Sequence, residues 1–158
     1  PRSTRRRPLD TMTGIVPRLP LRMHAFALRL NPDEDIKPRL DAEMATRNVR
    51  AACVLTCVGS LKRLAIRFAD QTKTTVLHGK FEIVSMVGTL SPDGSHLHIA
   101  VADETGRILG GHLKEGTSVH TTAEVVIGVL PNAEFGRFFD PTTGFRELRV
   151  LVGSPKKA

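Results

Sequence analysis

An α+β fold, a largely antiparallel sheet with one principal helix packed on it, is predicted by three features of the sequence. Apolar residues recur at a spacing of four in one segment near the N-terminus, at Ile36, Leu40 and Met44. From Asn48 onward the texture changes to β-branched and apolar runs punctuated by Gly, Pro and Asp. The punctuation is brief, and short turns join antiparallel neighbours whereas parallel strands need long crossovers.

The chain has 158 residues, of which 41% are apolar and 25% charged. That suits one domain, large enough to bury a core without disulfide staples. Its positive balance, 23 Lys and Arg against 16 Asp and Glu, is unevenly placed. Residues 1–22 hold Arg2, Arg5, Arg6, Arg7, Arg18 and Arg22 against Asp10 alone, so five of the seven net positive charges lie there and the body carries +2. With four prolines and no sustained period, residues 1–22 are expected to form a disordered Arg/Pro-rich tail. Non-specific phosphate contacts and an organelle-targeting leader are the alternatives for those arginines. No run of about 18 apolar residues and no secretory leader is present, so a soluble, intracellular and cytoplasmic protein without membrane contact is expected.

The elements follow in order. Met23–Leu30, closed by Asn31-Pro32, suits a first strand. The helix should start near Asp35, which leaves Pro38 in the first turn, where a missing N–H is tolerated. Strands are then expected near residues 51–58, 60–68, 73–77, 79–90, 96–102, 107–113, 118–129 and 147–152, with residues 153–158 as a C-terminal tail. Within 79–90 the apolar residues break alternation, which points to a bulge near Ser85. Cys53 and Cys57, four apart on one strand, should share a face about 13 Å from one another. That is too far for a disulfide, so buried reduced thiols are expected. Long sheet edges in a chain with seven Phe, no Trp and no Tyr favour burial against another copy.

Chemistry concentrates on histidine. His96 and His98 are two apart on one strand and project from the same face. The chain turns at Asp103-Glu104-Thr105-Gly106 and returns to His112. A three-residue loop with Gly106 in the left-handed conformation would pair Asp103 with Arg107 and set His98 opposite His112; a loop one residue shorter or longer would turn His112 away unless Gly110-Gly111 supplied a compensating bulge. In the first register the three imidazoles can share one divalent ion and leave a fourth position open, as in an open zinc site, although Cu, Fe and Ni also suit imidazole. The plain alternative is a half-exposed polar strand face. His24 and His78 read as surface residues, and His120 lies on a separate strand. A metalloenzyme would also need a proton-handling carboxylate, for which Glu82 is the first candidate and Glu124 the second. Nucleophile motifs and phosphate-cradling glycine loops are missing from the sequence.

Several of these segments carry a resemblance. Gly79-Lys80-Phe81-Glu82-Ile83-Val84, the stretch from Ser91 to Asp103 with His96-Leu97-His98, Gly110-Gly111-His112-Leu113, and the run from Phe139 to Leu148 occur in the order and spacing of the PPC (plants and prokaryotes conserved) domain. Over residues 23–152 the chain resembles that family, which stands alone in bacteria and archaea and is fused to AT-hooks in plant nuclear proteins. The resemblance implies a compact α+β homotrimer with a metal on His96, His98 and His112. It also implies a partner-binding segment at Gly79, Lys80, Phe81, Glu82, Ile83 and Val84, with Lys80 where plant members have arginine. No AT-hook accompanies the domain, and the helix mixes acids with bases, so specific DNA binding by the body is not expected. Two functions remain: a metal-binding protein-interaction or regulatory module, or a small zinc-dependent lyase or hydrolase.

Overall fold

The structure, a computed structural model, describes residues 22–152; the expected N-terminal tail, apart from Arg22, and the C-terminal tail lie outside them. The chain runs β1 (His24–Leu30), α1 (Ile36–Thr46), β2 (Ala52–Arg67), β3 (Thr75–Leu90), β4 (His96–Ala102), β5 (Ile108–Leu113), β6 (Ser118–Val129), β7 (Ala133–Asp140) and β8 (Phe145–Val152). The result is a mostly antiparallel sheet with a single short helix. Helix is thus a smaller share of the fold than an α+β label suggests.

Six strands form one sheet in the order β1-β6-β2-β3-β4-β5, and the far end of β2 also pairs with β5. β6 follows one edge of β2 as far as Arg63 opposite Ser118, and β5 takes over that edge with Ile66 opposite Leu113 and Arg67 opposite His112. The β2-β3-β4-β5 ribbon therefore closes on itself. Its inner face carries Leu61, Leu64, Ile66, Met86, Leu97 and Val101, all at most 2% exposed. Ile36, Leu40 and Met44 of α1 join that core, as the spacing of four requires. The exposed side of the helix pairs its own charges, Lys37 with Asp41 and Glu43 with both Arg39 and Arg47.

Two expected breaks are absent. Residues 51–58 and 60–68 belong to one 16-residue strand, as do 73–77 and 79–90. Gly59, expected to be a turn, lies inside β2, where a Cβ would sit 2.1 Å from the carbonyl oxygen of Thr122 on β6. Here glycine permits a close backbone approach and marks an irregularity within the strand. A second register shift, opposite Gly79, absorbs the other apparent break. A third, at Leu55, corrects the cysteine assignment: the extra residue turns Cys57 into the core and leaves Cys53 half-buried on the opposite side. Both thiols are free, and burial pushes that of Cys57 up to about 12. The bulge expected near Ser85 is present, with Val84 as the extra residue.

Strand β7 was not expected. It forms a two-stranded sheet with β8 and docks on the start of β2 through the Phe135 amide donating to the Arg50 carbonyl (3.0 Å) and an ion pair between Arg50 and Glu134. This hairpin flanks the site described next.

Candidate metal centre

The β4–β5 hairpin adopts the register that the three-residue loop requires. His98 pairs with His112, and Asp103 meets Arg107 through a 3.0 Å backbone hydrogen bond. One carboxylate oxygen of Asp103 accepts from the Thr105 amide (2.8 Å), the Thr105 hydroxyl (2.6 Å) and the Arg107 amide (3.0 Å). These bonds, the Thr105 hydroxyl first, hold the Asp103 carboxyl below its ordinary value. Gly106 adopts φ +81°, the left-handed turn that closes the loop.

Alternation does the rest. Leu97, Ile99 and Val101 enter the core, so His96 and His98 point outward, and His112 stands beside them on β5. Each of the three offers a ring nitrogen, and all three nitrogens lie within 4.8 Å of one another. Nε2 of His96 and Nε2 of His98 are 3.2 Å apart. A tetrahedral ion with bonds of about 2.0–2.1 Å holds its nitrogen ligands about 3.3 Å apart, so this pair already has the spacing of two ligands. Nδ1 of His112 is buried without a hydrogen-bond partner, an arrangement that costs free energy unless something accepts or replaces that bond. The donor set therefore fits a borderline divalent ion. His96, His98 and His112 would hold it, and it would supply Lewis acidity at whatever occupies the remaining position.

At His112 and His96 the surroundings favour the neutral form of the ring, the form that ligates metal. Desolvation is the largest influence on His112, followed by His96, Lys114 and Arg67, and together they lower it to about 4. His96 is lowered by desolvation and then by Arg137, with Glu147 acting in the opposite sense. Arg137 reaches the site because its Nη2 donates to Thr89 Oγ1 (2.9 Å) and its backbone amide to Asp93 Oδ2 (2.8 Å). A groove lined by Val87, Thr89, His96, His98, Arg137 and Leu148 opens over the imidazoles. Arg137, Arg67 and Glu147 were missed in the sequence. The run from Ala133 to Asp140 does place Phe135, Arg137 and Phe139 on one side, the signal that would have found β7.

Glu82 is not brought to this centre. It pairs with Ala102, four residues along β4 from His98, or about 13 Å at the usual strand rise. The proton-handling role expected of it is corrected on that ground. Glu124 faces Arg29 and Val58 across β6 and is also elsewhere. In the segment from Gly79 to Val84, Phe81 and Ile83 are core residues, and Lys80, Glu82 and Val84 form the exposed side. His24 and His78 are exposed, and the strand of His120 pairs with β1 and β2 rather than with the histidine hairpin.

The Plants and Prokaryotes Conserved (PCC) domain matches residues 20–131. The chain belongs to this family. Among related proteins, a bifunctional protein GlmU from Synechococcus sp. (strain JA-2-3B'a(2-13)) is 40% identical over 141 residues, which is 88% of this chain and 22% of that protein. The chain thus spans about a fifth of the length of such relatives. A hypothetical protein from Salmonella superposes with a TM-score of 0.83 at 41% identity, covering 85% of this chain and 97% of its own. A metal-containing protein from Archaeoglobus fulgidus gives 0.70 at 25% identity, covering 78% and 91%. No described helix is long and apolar enough to cross a membrane.

Proposed function

We propose that this PPC-family chain is a homotrimeric interaction or regulatory module that holds one divalent ion, zinc first among candidates, on His96, His98 and His112. The convergence of those three imidazoles on the outer face of the sheet carries the reading. The Archaeoglobus relative, described as metal-containing, supports it. A module role fits a domain that also makes up about a fifth of the GlmU relatives, since such a unit serves proteins of different activity. Assembly fits the outer sheet face, where Val58, Val84 and Val87 are each more than half exposed and Val87 lies opposite His98. Lys80, Glu82 and Val84 continue that face and are the proposed contacts for a protein partner. Direct DNA reading is disfavoured because the charges of α1 are spent on one another.

A second reading, a small metal-dependent lyase or hydrolase, is favoured by the groove that opens over His96 and His98 with Glu147 near enough to influence His96. Metal analysis and sedimentation of the wild type and His98→Ala separate the two. The module reading expects a trimer with one ion per chain, and a trimer that dissociates when His98→Ala removes the ion. Loss of the ion with assembly and partner binding intact favours chemistry. A monomer whose metal content is indifferent to His98→Ala contradicts both.

A further inference from the structure

We infer that the open side of the three-histidine centre takes a small oxyanion, a carboxylate or a phosphate group, held by the guanidinium groups of Arg137 and Arg67. This rests on the metal-binding reading above and adds the class of ligand.

Two arginines lie beside the centre, one along the groove and one across from His112. Arg137, on the β7–β8 hairpin, lines the same groove as His96 and His98. Arg67, at the end of β2, is the direct cross-strand partner of His112. Both are fixed by neutral acceptors: Arg137 Nη2 donates to the Thr89 hydroxyl (2.9 Å) and Arg67 Nη1 to the Gln71 carbonyl (3.0 Å). Among the described residues neither makes an ion pair. A guanidinium has five N–H donors in a planar fork, so most of each fork is available to a ligand.

Charge balance makes the same demand. A divalent ion on three neutral imidazoles remains +2, and Arg67, Arg137 and Lys114 add further positive charge around it, against Glu147. Such a cluster is unfavourable unless an anion completes it. A neutral water would leave that charge uncompensated, whereas an oxyanion both ligates through one oxygen and accepts the guanidinium forks. Val87 and Leu148 give the groove apolar walls, where such pairing is less screened than in open solvent. The groove measures about 340 Å³, room for a small molecule.

Cobalt(II)-loaded protein provides the test, because its visible bands report a change of ligand at the ion. Acetate and inorganic phosphate should shift these bands saturably, and acetamide, the neutral counterpart of acetate, should not at the same concentration. Arg137→Gln should weaken acetate about ten- to hundredfold, the usual worth of one hydrogen bond to a charged group. Arg137→Lys should retain part of the binding, and added salt should weaken it. Tighter binding of phosphate assigns phosphate esters, and tighter binding of acetate assigns carboxylates. Equal acetate binding by the wild type, Arg137→Gln and Arg67→Gln, or acetamide acting like acetate, overturns the inference. Cobalt uptake is measured in every sample. Normal uptake without an anion response overturns this inference alone, and failed uptake by the wild type overturns it together with the metal reading. Should Arg137→Gln fail to fold, Arg67→Gln decides by the same criterion.

Discussion

Gly88→Ala is the perturbation that ties the fold most tightly to the histidine centre. Gly88 sits on β3 opposite Leu97 with φ +152°, a region that side-chain-bearing residues rarely adopt. A Cβ there would stand 2.0 Å from the His96 carbonyl oxygen and 2.9 Å from both the His96 carbonyl carbon and the Leu97 Cα. All three are backbone atoms, so no side-chain rotation relieves the clash. Reaching ordinary contact requires β4 to withdraw by about 1 Å or more at His96. Adding a backbone penalty of about 1–3 kcal/mol to an overpacking penalty of about 1–3 kcal/mol gives an expected loss of about 2–6 kcal/mol. In a chain of this size that lowers Tm by about 4–24 °C. Thermal and urea denaturation of the metal-free protein measure the loss, and competition titration with zinc measures the accompanying fall in affinity as His96 shifts. A Tm within about 2 °C of wild type, together with unchanged zinc affinity, would refute the reasoning.

Two further outcomes follow from the hairpin and from the helix. Asp103→Ala removes the three hydrogen bonds that fix the loop from Asp103 to Arg107, so zinc affinity should fall while the far-UV spectrum stays that of the wild type; unchanged affinity would mean that the loop does not set the register of His98 and His112. Glu43 is held below its ordinary value chiefly by its hydrogen bond to Arg39 and then by that to Arg47. Its stabilisation is therefore complete above the unfolded value of 4.5 and is lost as pH falls through the lower folded value. Glu43→Gln should cost about 0.5–1 kcal/mol at neutral pH, the worth of two helix pairs, and should show a flatter loss of stability on acidification. Urea midpoints at pH 7 and pH 3 check it, and equal acid sensitivity in both proteins would contradict it.

What could be read in the sequence was local or periodic. The helix announced itself because Ile36, Leu40 and Met44 are spaced by one turn and Pro38 falls where a helix tolerates it. The histidine register was readable because one short loop with a glycine at its end leaves few pairings, and the period of two then fixes which face each imidazole takes. What escaped depends on contacts between distant segments. Gly59 resembles a turn residue until β6 is seen to pass within touching distance of it. Cys53 and Cys57 separate because of one extra residue at Leu55, and nothing in their own spacing signals that bulge. Glu82 precedes the histidine strand in sequence, yet antiparallel pairing sends it to the far end, opposite Ala102. Arg137 lies 39 residues beyond His98 and reaches the site only because β7 folds back over β3 and is tied to Thr89 and Asp93.

X-ray absorption on the zinc-reconstituted protein examines the centre itself. The account predicts a first shell of nitrogen and oxygen atoms at about 2.0–2.1 Å, with the multiple-scattering pattern of three imidazoles, reduced to two in His112→Ala. A shell containing sulfur, from Cys53 or Cys57, or one with fewer than two imidazoles in the wild type, would contradict it.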